Sequence, residues 1–230
     1  MPHTTTHVVF PIFDGMSHLD FTGPHHVFSS APDVCISVAS IDGRDIDADG
    51  FVFSGLVDLS QVEKCDVLCV PGGFGASVAM LNESFMRDIR RLASGAKYVT
   101  SVCTGSFILA AAGLLRGRRA ATYWANRELL GEMGVIVENE RVVRDGNIIT
   151  GGGVTAGIDF ALVTIAEIFS SDVAEAIELR VEYAPAPPFG VGRPEAASPE
   201  LVRKVRYDLG TSLAGWRTAV DRVMRNVDAA

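Results

Sequence analysis

Cys103 stands where an apolar strand-like run, "YVTSV" (Tyr98 to Val102), gives way to a helix-like run, and Thr104-Gly105 follow it at once. A cysteine at a strand-to-helix turn is placed as a nucleophile is placed at a sharp elbow. Its sulfur faces the partial positive charge of the helix start, which favours thiolate over thiol. The chemistry predicted from that position is that of a nucleophile at neutral pH. A second feature is "VPGGFG", Val70 to Gly75, closing another apolar run. Gly72 and Gly73 free the backbone to turn sharply and to point amide hydrogens at developing negative charge, although a plain turn has the same composition. The third is Asp20 in "SHLDFTGP". It reads either as the N-cap of a helix containing Pro24 or as an active-site carboxylate, and spacing alone leaves both open. Cys35, Cys65 and Cys69 fall within or beside apolar strands and read as structural.

These three features need a scaffold that brings three strand ends together. "HVVFPIF" (His7 to Phe13), "VCISVAS" (Val34 to Ser40), "DVLCV" and "KYVTSV" are short apolar β-rich runs. Helical patterns separate them, one from about Asp20 to Ser29 and one from Ser84 to Ser94. A hairpin or loop with a turn at Asp49-Gly50 and a hairpin at Asp145-Gly146 are expected. "VTAGIDFALVTIAEIF" (Val154 to Phe169) reads as a long apolar helix behind three glycines, Gly151 to Gly153. Gly152 is a candidate hinge there, because few side chains could fix the helix end. Strands alternating with helices predict an α/β fold, a three-layer α/β/α sandwich around a mostly parallel sheet. Ligands of such sheets sit outside the carboxyl ends of the strands, where Asp20, Gly72, Gly73 and Cys103 all fall. One domain over 1–230 is expected, with a Pro-rich extended segment at 184–199 and a C-terminal helix at about 200–226 whose middle Gly210 and Gly215 weaken.

The chain has 230 residues, is 48% hydrophobic and carries a formal net charge of −8. That charge repels nucleic-acid backbones, and the one compact basic cluster, Arg116 to Arg119, follows a helix whose carbonyls it can satisfy. No run resembles a membrane span, and "MPHTTTHVVF" has no signal-peptide pattern. The four cysteines form no CxxC pair and the expected setting is the cytoplasm. No metal or organic cofactor is called for.

Together, "LDFTGP", "VPGGFG" and the segment around Cys103 resemble the ThiJ/PfpI superfamily of class I glutamine-amidotransferase-like proteins, whose sheet is flavodoxin-like. More narrowly, "LDFTGP", "YVTSVCTGSFILAAAGLLRGRRAATYWA", "ERVVRDGNIITGGGVTAGIDFAL" and "EYAPAPPF" resemble its isonitrile (isocyanide) hydratase branch. The resemblance runs from about residue 7 to about residue 190. It implies Cys103 as nucleophile, Asp20 as acid and base, Thr104 as a neighbour reaching the same carbon, and Gly72 and Gly73 lining the pocket with backbone N–H groups. It also implies a homodimer, with the Pro-rich segment and final helix as candidate surfaces. One departure concerns Tyr123-Trp124, where related sequences often read "HW". No His follows Cys103, since the five are His3, His7, His18, His25 and His26. His18 then reads as a loop residue, His3 and His7 as part of a mobile terminus, and Trp124 as a pocket wall or core residue.

The implied reaction hydrates an isocyanide to an N-formamide through a thioimidate on Cys103. Two alternatives share the elbow. One is a glyoxalase or deglycase acting on α-oxoaldehydes; the other is a ligand- or redox-sensing domain without catalysis. The segment after Pro199 is too short for the two helix-turn-helices of an attached DNA-binding module.

Overall fold

Apolar runs without alternation belong to strands covered on both faces. In the structure, a computed structural model that describes residues 5–228, those runs form the middle of one sheet. In chain order, β1 (Thr6–Pro11) leads to α1 (His18–Ser29) and β2 (Val34–Ser40). The hairpin β3 (Ile46–Ala48) and β4 (Phe51–Phe53) follows, turning at Asp49-Gly50 as expected, and then the two-residue β5 (Val57–Asp58). Next come β6 (Val67–Val70), α2 (Ala76–Ala79), α3 (Glu83–Gly95), β7 (Tyr98–Val102) and α4 (Gly105–Ala111). After β8 (Arg119–Ala120), α5 (Arg127–Glu132) and β9 (Ile136–Val137), the chain forms the hairpin β10 (Val142–Asp145) and β11 (Ile148–Gly151). It ends with α6 (Ala156–Ile168), α7 (Ser171–Arg180), α8 (Pro199–Asp208) and α9 (Gly210–Asp228).

Among the described residues the main sheet has seven strands in the order β10-β11-β7-β6-β1-β2-β5, all parallel except β10 against β11. Helices α1, α6 and α7 pack together on one face, with Phe28 of α1 against Phe160 of α6. The other face carries α2, α3, α4, α5 and α9, where Phe107 of α4 meets Trp216 of α9 at 4.7 Å. The expected three-layer sandwich is therefore present. Chain order reverses beside β1, which has β2 on one side and β6 on the other. Loops at the carboxyl ends of strands diverge at such a reversal and leave a crevice. The ends of β1, β6 and β7 border it.

Several expectations change in detail. Helix α1 begins at His18, after Ser17, so Asp20 lies inside its first turn and is not its cap. The β10–β11 turn is centred on Gly146-Asn147, because Asp145 still pairs with Ile148. The C-terminal segment divides at Leu209 into α8, capped by Ser198 with Pro199 at its first position, and α9. Arg118 and Arg119 pair with Asp145 and Glu138 across neighbouring strands. His7 is held in β1, its ring bonded to Ser37 Oγ at 2.8 Å and to the Lys64 carbonyl at 3.0 Å. His3 lies outside the described residues. Cys35 is exposed, whereas Cys65 and Cys69 are buried as expected. The segment at 184–199 is irregular and exposed, apart from a 3-10 turn at Pro194–Ala196.

Candidate active site

Strand β7 is buried to its last residue, and the chain must reverse within two residues to enter α4. Cys103 makes that turn with φ of 54°, the left-handed region that a side-chain-bearing residue seldom occupies. The strain is held from both sides. Its N–H donates to the Gly151 carbonyl at 3.0 Å, and its own carbonyl accepts from Thr122 Oγ1 at 3.1 Å and from Ser106 Oγ at 3.1 Å. This is the geometry of a nucleophile elbow.

Asp20 enters the same place from α1. It is fully buried, and its Oδ2 accepts the Gly72 N–H at 3.0 Å while its Oδ1 has no hydrogen-bond partner. Asp20 and the Cys103 thiol each shift the other's titration. Burial pushes the Asp20 pKa up to about 7, opposed by the Gly72 N–H and by Cys103, and reinforced by the charge of Asp49. Burial also pushes the Cys103 thiol well above its ordinary range, and Asp20 adds to this, while the Thr104 N–H and hydroxyl work in the other direction. The direction is opposite to that expected from the helix start. Helix α4 has only seven residues, and a buried sulfur beside a carboxylate cannot ionise while its neighbour does. Both shifts favour the protonated forms of the pair.

Gly72 and Gly73 are placed at the site but not as sequence reasoning assigned them. The Gly72 N–H is engaged by Asp20, and the Gly73 N–H donates to Thr104 Oγ1 at 2.9 Å. Neither is a free donor toward a bound molecule. Their role is to hold the acid and the Thr104 hydroxyl, whose proton faces the Gly73 carbonyl at 3.1 Å. Close approach explains the glycines. A Cβ on Gly72 would lie 2.6 Å from Thr104 N and 2.8 Å from Asp20 Oδ2, and one on Gly73, with φ of 117°, would collide with the Met16 and Ser17 backbone. Gly72→Ala is expected to lower the melting free energy by about 1–3 kcal/mol, the usual range for overpacking, and turnover by tenfold or more, as Asp20 and Thr104 are pushed apart. Thermal unfolding and steady-state assays of that variant check both.

A cavity of about 190 Å³ opens over Cys103 and Thr104. Its other walls include Phe74, Tyr123, Val154, Leu209, Leu213 and Trp216, with Ser17, Asp49, Asn126 and Ser212 as polar members. Its lining is mainly apolar. Trp124 is not among these residues; it packs beside Tyr123 and carries the Arg206 guanidinium 5.2 Å above its ring. Tyr123 takes the wall position, its pKa raised by burial and by the neighbouring Cys103. His18 is half-buried rather than a free loop residue, with its Nδ1 3.0 Å from Asp49 Oδ2. Gly152 donates its N–H to the Arg141 carbonyl at 2.9 Å. The start of α6 is not bare: Asp159 accepts from Arg141 Nε and Tyr183 Oη, both at 2.8 Å. The wall from Leu209 to Trp216 was invisible to sequence reasoning, which gave the final helix a surface role. Its signal was a tryptophan on the apolar side of an amphipathic helix, a residue that seldom stays exposed.

A family model described as "DJ-1/PfpI family" matches residues 6–167. The chain is 44% identical over 205 residues to a protein of Pseudomonas putida named "Isonitrile hydratase", covering 89% of this chain and 90% of that one. Among solved structures, a THiJ/PfpI family protein from Pseudomonas syringae superposes with a TM-score of 0.89 at 32% identity, over 94% of this chain and 90% of that one. An AraC family transcriptional regulator from Pseudomonas putida shares the fold alone, with a TM-score of 0.64 at 17% identity over 76% of this chain and 99% of that one.

Proposed function

The chain belongs to the DJ-1/PfpI family, and from that premise we propose that it is an enzyme that hydrates an isocyanide to an N-formamide, with Cys103 as nucleophile and Asp20 as proton carrier. The observation that carries this reading is the buried Asp20–Cys103 pair beside an apolar cavity, in a chain similar over most of its length to an isonitrile hydratase. An isocyanide offers a terminal carbon with a lone pair and little else to bind. A small, mostly apolar cavity suits it. Asp20 takes the thiol proton and gives it to that carbon as sulfur attacks, which forms the C–S bond and leaves a thioimidate with Asp20 again ionised. Water then adds across the C=N bond, its hydroxyl to carbon and its proton, through Asp20, to nitrogen. Cleavage of the C–S bond, with the hydroxyl proton returned to sulfur, releases the N-formamide and restores the thiol. No resting thiolate is needed, because the proton that leaves sulfur is the one the carbon must gain.

The reading includes a single catalytic domain, a homodimer and a cytoplasmic setting, all taken from the sequence and its resemblance. No helix among the described residues is long and apolar enough to cross a membrane. The direct test is incubation of the purified protein with a simple alkyl or aryl isocyanide, with formamide followed by chromatography. Methylglyoxal is run in parallel. Formamide without lactate is the expected result; lactate without formamide would transfer the site to α-oxoaldehyde chemistry.

A further inference from the structure

The hydration described above places an oxygen on the carbon bound to Cys103, and something must stabilise it. The two glycine N–H groups expected for that task are engaged by Asp20 and Thr104. Asn126 has the missing donor. It forms part of the cavity wall with Cys103, Thr104 and Tyr123, yet is 3% exposed. Its Nδ2 is buried with no hydrogen-bond partner among the described residues. A buried amide donor without a partner is costly, and native chains rarely keep one without a use.

The position sharpens the point. Asn126 immediately precedes α5, where an asparagine side chain ordinarily accepts a hydrogen bond from the first turn of the helix. Here it makes no such bond. The side chain of this cavity-lining residue thus forgoes its usual structural role. The short 3-10 turn Trp124–Asn126, anchored by the Asn126 N–H on the Tyr123 carbonyl at 3.0 Å, fixes the backbone that carries it.

We propose that Asn126 is a further catalytic residue, whose side-chain amide donates a hydrogen bond to the oxygen added to the thioimidate carbon and to the carbonyl oxygen of the departing formamide. The isocyanide and the thioimidate bear no oxygen, so this hydrogen bond exists only after water has attacked. It favours the second half of the reaction and leaves the first untouched. The proposal rests on the isocyanide reading, and its test separates the two.

Wild type and the variants Asn126→Ala and Asn126→Asp are mixed with excess isocyanide, and intact-protein mass spectrometry follows the covalent adduct over time. In both variants the adduct is expected to form at the wild-type rate and to decay about 10²–10³ times more slowly, the usual effect of losing one such donor. Melting temperature is expected to be unchanged or higher in Asn126→Ala, since no cap is lost and an orphaned donor is removed, and lower in Asn126→Asp, which buries a carboxylate in place of the amide. Adduct decay at the wild-type rate in both variants would overturn the role of Asn126, as would a loss of adduct formation equal to the loss of turnover. Absence of any adduct on wild-type Cys103 would instead overturn the isocyanide reading itself.

Discussion

Cys103→Ala is expected to abolish formamide production, by a factor on the order of 10⁴–10⁶, with the fold retained. The side chain is small and its backbone is held by Gly151, Ser106 and Thr122, none of which depends on the sulfur. Alanine meets the same left-handed strain as cysteine, so no relief or penalty enters through φ. Single changes of the other cysteines set the scale. Cys65 and Cys69 are buried, and burial keeps both thiols protonated, Cys65 up to about 12. Their replacement by Ala should cost about 1 kcal/mol of packing and no catalysis. Cys35 is exposed, and its removal should change neither stability nor rate. Steady-state assays and thermal melts of the four variants make the comparison. Turnover in Cys103→Ala near the wild-type rate would end the covalent route.

The parts of this molecule that were legible in its sequence are those where one local signal has one structural consequence. Strand β2 was read from Val34 to Ser40 and occurs there, because β-branched residues in a short run leave few other choices. Asp49-Gly50 gave the β3–β4 turn for the same reason, both residues adopting positive φ. The elbow at Cys103 was legible because a strand run meets a helix run with two residues between. What failed depends on tertiary placement. The direction of the Cys103 pKa follows from burial and from Asp20, which is 83 positions away in sequence and adjacent in space. The glycine N–H groups were read as free donors because sequence shows a flexible turn but not what that turn touches.

The Leu209–Trp216 wall illustrates a further limit. The family model covers residues 6–167, and the wall lies beyond that model. Helix α9 alone reads as amphipathic surface, and only its packing of Trp216 on Phe107 shows that it closes the cavity. Asn126 was hidden differently. An asparagine before a helix is the commonest of caps, and nothing in "YWANRELL" announces that this one does not cap.

Asp20→Asn is the variant in which stability and activity should move in opposite directions. Asparagine keeps an acceptor for the Gly72 N–H but cannot carry a proton at neutral pH, so turnover is expected to fall 100-fold or more. In the proposed mechanism, the ionised carboxylate is the form that takes the thiol proton. The rate should therefore rise with pH through about 7 and level off above it, and the variant should lose that limb. Stability follows from linkage. Below the ordinary carboxyl value of 3.8, Asp20 is protonated in both folded and unfolded chains and the burial does no harm. Between 3.8 and about 7 the unfolded chain releases the proton and the folded chain retains it, so the wild type loses stability as pH rises. Above about 7 the loss is complete, on the order of 4 kcal/mol as an upper bound. Asp20→Asn has no such loss. Its advantage in denaturant midpoint should be small at pH 4, grow toward pH 7 and stay constant beyond it. Parallel urea titrations at pH 4, 6 and 8 read this directly. A variant less stable than wild type at pH 8 would show that the carboxylate is a structural anchor and not a strained catalytic group.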